Sequence, residues 1–133
     1  MTRFVIGPDA ALHLAEVQAV VPSTHRLLAP TLIRSQVLSQ LYGLVRRNEL
    51  DRREAQRRLD HLRGLRLRLL GDRVLQRVAW QIAAQLDWPD TFVAEYLALT
   101  RLQGDAFVCM DAALARAVGD TVKVVSVADM MGD

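Results

Sequence analysis

The sequence predicts an α/β domain built on a mostly parallel sheet, and two observations carry that reading. Short apolar runs alternate with stretches of helical periodicity along the whole chain, the order that a parallel sheet with helical crossovers requires. The 133 residues, 51% hydrophobic and 24% charged, match one folded domain over 1–133, without internal repeat, low-complexity stretch or linker.

Each element has its own signal. Residues 3–7 form an apolar run ended by Gly7-Pro8, a buried strand entering a turn. Asp9 follows in position to cap a helix over 10–20. Residues 27–29 read as a second short strand closed by Pro30. Over 32–47, Ile33, Val37, Leu41, Leu44 and Val45 recur at helical spacing. A turn at 48–51 offers Asp51 as cap for a helix over 52–65, which pairs antiparallel with the one before it. Residues 65–70 alternate strictly between leucine and arginine up to Leu70, as a half-exposed strand or extended linker does. Residues 73–86 are helical through Leu75, Val78, Ala79, Ile82 and Ala83, with Trp80 and Trp88 expected as core anchors. Asp90 or Thr91 caps the next helix, which runs to Leu102. Residues 106–109 are a buried strand, 111–118 a short helix, 122–125 the last strand and 128–131 a final turn.

Composition narrows the function classes. Cys109 is the single cysteine, so an internal disulfide framework is excluded and a reducing, cytoplasmic compartment fits. No apolar run reaches the length of a membrane span, and the amino-terminal run is too short for a signal peptide. The net charge of +2 conceals a division: residues 26–77 hold thirteen arginines against five acids, a balance of +8, and the remainder stands at −6. A basic face for phosphate and a separate acidic cluster follow from that sorting.

The acids fall where a site would be. Asp9 and Asp111 each stand just past a predicted strand, in the crevice where open parallel sheets bind ligands. Two carboxylates converging there repel unless a cation lies between them, and such oxygen ligands suit Mg²⁺ or Mn²⁺. A cation so held would orient water for phosphodiester hydrolysis. The alternative is that both aspartates are ordinary helix caps.

Three stretches, in order and spacing, carry a family resemblance: Phe4-Val5-Ile6-Gly7-Pro8-Asp9-Ala10; Leu28 to Leu38; and Glu95-Tyr96-Leu97-Ala98-Leu99 through Phe107-Val108-Cys109-Met110-Asp111. Together they resemble a PIN domain, most similar to the VapC-type ribonuclease toxins of prokaryotic toxin–antitoxin pairs. The resemblance implies a three-layer α/β/α sandwich, endoribonuclease activity with Mg²⁺ or Mn²⁺, a homodimer and a cognate antitoxin. It assigns Asp9 as the first acid and Asp111 as the last. The chain departs from the pattern at Gln36, where a glutamate is usual, and at Val93, where the third acid is usual. Asp90, one helical turn before Val93, is the candidate replacement, and Glu95 is turned away as a surface residue. Two smaller departures are Ala11 and Cys109. The expected site is therefore Asp9, Asp90 and Asp111 on the metal, with Gln36 positioning water; a weakened domain that binds RNA or antitoxin without cleaving is the alternative.

Arg52, Arg53, Arg57 and Arg58 are the candidate RNA contacts, with Asp51, Glu54 and Asp60 as competing helical partners. The three histidines lack ligand spacing, the serines lack a triad, and no Gly-rich phosphate loop is present. The flanking strands argue against a helix-turn-helix DNA binder.

Overall fold

The computed structural model describes residues 1–132. In chain order the elements are β1 (Thr2–Ile6), α1 (Pro8–Glu16), β2 (His25–Pro30), α2 (Leu32–Arg46), α3 (Arg52–Gly64), β3 (Arg68–Leu70) and α4 (Arg73–Gln85), followed by α5 (Phe92–Gln103), β4 (Ala106–Val108), α6 (Ala112–Val118), β5 (Val124–Val125) and α7 (Val127–Met131). The five strands form one sheet in the order β3-β2-β1-β4-β5, and every pairing is parallel. Phe4 faces Leu27 on one side and Ala106 on the other, so β1 is central.

Helices α1, α2 and α3 pack on one another, while α4 packs on α5 and α5 lies across β1, β2 and β4. The chain moves outward from β1 to β3 and then returns across β1 to β4. Right-handed crossovers therefore place the two helical groups on opposite faces of the sheet. The result is the three-layer α/β/α sandwich. Its central strands read as continuous apolar runs because both faces are covered: Val5, Ile6, Ala29 and Val108 are fully buried, as are Ala10, Ala11 and Leu14 of α1. Among the described residues no helix is long and apolar enough to cross a membrane.

Local chemistry explains the boundaries. Asp51 and Asp72 cap α3 and α4 by accepting hydrogen bonds from the Arg53 and Leu75 amides. Ser126 and Asp129 form a reciprocal capping box at α7. Of the alternating stretch, residues 68–70 alone join the sheet, and Arg66 before them adopts a left-handed backbone (φ 56°). Helix α1 starts earlier than expected, with Gly7 as its cap and Pro8 in the first turn, where proline's missing N–H is no loss. Asp9 is consequently not the cap. Trp80 is not a core anchor either: it is 73% exposed, while Trp88 is half-buried against the core.

Candidate active site at the switch point of the sheet

The sheet reverses direction between β1 and β4: connections from β1 run outward to β2 and β3, and the later strands lie on its other side. That reversal opens the crevice beyond the strand ends in which α/β proteins bind ligands. Asp9 stands just past the end of β1 and Asp111 just past the end of β4. The pairing continues beyond the strands, since the Gly7 amide donates to the Val108 carbonyl at 3.3 Å.

Asp9 is held in this crevice by two backbone amides. Its Oδ1 accepts from Ala10 at 2.7 Å, and its Oδ2 accepts from Met110, across the crevice, at 3.2 Å. The second bond ties the β1 aspartate to the loop that carries Asp111. Asp111 is a true cap: its Oδ1 accepts from Ala113 and Leu114 at 2.9 and 3.1 Å. Its Oδ2 takes no hydrogen bond among the described residues. The cap reading thus holds for Asp111 and fails for Asp9. Both aspartates act on the buried Cys109 thiol. Burial pushes that thiol's pKa up, a hydrogen bond from Sγ to the Asp111 carbonyl opposes the rise, and both carboxylate charges add to it. Cys109 is a small buried residue, as the sequence suggested.

Gln36 reaches the same region from α2. The Tyr96 hydroxyl on α5 donates to its Oε1 at 2.5 Å. Tyr96 is 2% exposed, its ring tilted on Phe107, and burial raises its pKa far above the ordinary value, with the charges of Glu95 and Asp9 adding to the rise. The phenol therefore stays protonated and remains a donor. The bond uses one of the two lone pairs of the Gln36 oxygen, and its amide N–H₂ offers two donors suited to an anionic oxygen. Glu95 is not a plain surface residue. It is partly buried, burial raises its pKa, and its charge bears on Tyr96. The Tyr96–Gln36 bond is the feature that a reading of local spacing misses, because it joins residues sixty apart in sequence.

Asp90 does not join the pair. It is exposed before α5, and its Oδ1 accepts from the Phe92 amide at 3.2 Å. Val93 is half-buried. Among the described residues no group of three or more histidine, cysteine or acidic side chains is gathered as a metal cage. What the crevice offers is two carboxylates, neither of them in an ion pair with a described residue. That donor set fits Mg²⁺ or Mn²⁺, ions bound through one or two carboxylates with water completing the shell.

The arginine-rich helix divides. Arg52 and Arg53 are exposed. Arg57 and Arg58 are engaged by Glu54, the former through both Nε and Nη2 and the latter through Nε at 2.9 Å. These guanidiniums pull the Glu54 carboxyl down to a pKa of about 2. The competing helical partner therefore takes two of the four expected RNA contacts.

Fold and crevice together define a class: an all-parallel α/β/α sandwich with paired carboxylates at the switch point of its sheet. A structure of the same fold is the "Crystal Structure of PAE2754 from Pyrobaculum aerophilum", similar with a TM-score of 0.72 and 18% identity over 98% of this chain and 93% of that one. No protein-family profile and no curated protein matches the sequence.

Proposed function

We propose that this protein is a metal-dependent endoribonuclease of the PIN-domain type, the toxin of a cytoplasmic toxin–antitoxin pair. The observation that carries the reading is the Met110 amide donating to Asp9, which ties that carboxylate to the loop preceding Asp111. Asp9 and Asp111 would hold Mg²⁺ or Mn²⁺, which when bound supplies charge stabilisation and a more acidic water. Asp9, clamped by two amides, keeps a fixed orientation, and Asp111 presents its free Oδ2. Gln36, its oxygen tied to Tyr96, directs N–H donors that favour a phosphate oxygen over a cation. Arg52 and Arg53 supply exposed positive charge for the RNA backbone. RNA, an antitoxin and a second copy of the chain are the partners this reading entails.

The test is Mn²⁺-dependent cleavage of single-stranded RNA and growth arrest on expression. Asp111→Asn abolishes both in this reading; equal activity in the variant refutes it. A second reading is favoured by the neutral Gln36 and by Asp90, which accepts from the Phe92 amide instead of completing a group of three acids: a non-cleaving module that binds RNA or antitoxin. It predicts retained complex formation without cleavage by the wild type.

A further inference from the structure

We propose that a second cavity, at the opposite end of the sheet from the acid pair, binds a phosphate group. The cavity has a volume of about 570 Å³ and lies at the amino-terminal ends of β2 and β3, between them and the end of α3. Its lining includes the side chains of Arg26, Arg66, Arg68, His25 and His61 together with Met1, and among the described residues no carboxylate lines it.

The arginines are the first argument. Leu28 is the register partner of Arg68, and Arg26, two residues before Leu28, projects to the same face of the sheet. Arg26 and Arg68 therefore belong to neighbouring strands on one face, and Arg66 joins them from its left-handed turn. None of the three is in an ion pair among the described residues, whereas Arg47, Arg57, Arg58 and Arg63 each find an acid nearby. Arg26 has the Met1 sulfur as its Nε partner, at 3.0 Å. Three guanidiniums gathered without a counter-charge repel one another, and an anion removes that repulsion.

The histidines are the second. Both ring nitrogens of His25 are buried without a hydrogen-bond partner, its ring set edge-on to Phe4 at 4.9 Å. A buried imidazole without a partner forfeits hydrogen bonding, and an oxyanion can accept from the one N–H of the neutral ring. His61 Nε2 stands 2.9 Å from the Ala19 carbonyl, which can only accept, so Nε2 carries the proton there. Guanidinium forks match the oxygens of phosphate, and their number here exceeds what a carboxylate's two oxygens can satisfy. The volume suits a ligand of nucleotide size.

The site is independent of the carboxylates and of any nuclease chemistry. Inorganic phosphate and a 5′-phosphorylated single-stranded oligonucleotide are titrated calorimetrically at low salt into wild type, the Arg26→Gln/Arg68→Gln double variant and Asp9→Asn. Both arginines are exposed, so the double variant keeps the fold, which circular dichroism checks. Saturable phosphate binding is expected in wild type, unchanged in Asp9→Asn and weakened about tenfold or more in the double variant. Displacement of phosphate by the oligonucleotide assigns the site to a strand phosphate; retention of phosphate assigns it to a free anion. The proposal is overturned if wild type binds neither probe saturably, or if the double variant binds as wild type does. Loss of RNA cleavage in Asp111→Asn alone leaves it standing.

Discussion

Replacing Gly7 by alanine disturbs the candidate site through a single methyl group. A Cβ built at Gly7 lies 3.0 Å from Asp9 Oδ1 and 3.5 Å from Phe107 Cζ. The ring contact is ordinary; the carboxylate contact is short by about 0.4 Å of a comfortable carbon–oxygen approach near 3.4 Å. Asp9 has little room to yield. Its Oδ1 bond from Ala10 is 2.7 Å and its Oδ2 bond from Met110 is already 3.2 Å, so a shift of that size takes the second beyond hydrogen-bond range. The backbone is not the obstacle, since Gly7 has φ −77° and ψ 168°, which alanine adopts freely. The stability cost is therefore that of a poorer cap and one weakened bond, about 1 kcal/mol. If a misplacement of about 1 Å costs roughly 100-fold in rate, a few tenths of an ångström costs about tenfold. The assay pairs urea unfolding with the rate of Mn²⁺-dependent RNA cleavage. A rate equal to wild type, in a variant as stable as wild type, refutes the claim that the Met110 clamp orients Asp9.

Further outcomes follow from packing and charge. Gly104→Ala places a Cβ 2.8 Å from Val5 Cγ2 and 3.2 Å from the Thr100 Cα, so thermal unfolding shifts down by the equivalent of about 1–3 kcal/mol of overpacking. Glu54, with its pKa lowered from 4.5 to about 2, contributes stability that is complete above pH 4.5 and lost as pH falls toward 2. Glu54→Gln flattens that part of the acid unfolding profile, and an unaltered profile contradicts the Glu54–Arg57–Arg58 cluster. Tyr96 ionises more readily unfolded than folded, so its burial contributes stability that is full below pH 10 and declines as pH rises above it. In a Tyr42→Phe chain, where Tyr96 is the one tyrosine left, phenolate absorbance should emerge together with loss of helical circular dichroism; earlier emergence means the hydroxyl is open to solvent.

The parts of the fold that were legible in the sequence are those encoded by neighbours. Asp51 caps the helix it precedes because aspartate satisfies a free amide two residues on. That Asp9 and Asp111 both stand beyond strand ends followed from strand–helix alternation, since each comes three residues after a buried parallel strand. Asp9 was placed correctly but given the wrong local role, because the Gly7-Pro8 step starts the helix sooner than the apolar pattern does. Trp80 was expected inside on side-chain size alone. The buried stripe of its helix runs through Leu75, Ala79 and Ile82, and one residue past Ala79 turns the indole about 100° outward. Asp90 was expected near the acids, but its carboxylate serves the start of α5 instead. The Tyr96–Gln36 bond has no local signature, because it forms when α5 and α2 meet over the strand ends. The resemblance rested on motif order, and the chain departs from its acids at Gln36 and Val93.

In the proposed function Asp9 and Asp111 jointly hold a divalent cation. Calorimetric titration of Mn²⁺ into the wild type and into Asp9→Asn tests it most directly, because asparagine keeps the shape of the side chain and removes its charge. Saturable Mn²⁺ binding by the wild type, lost in Asp9→Asn, is the expected result; equal binding by both chains, or none by the wild type, contradicts joint coordination.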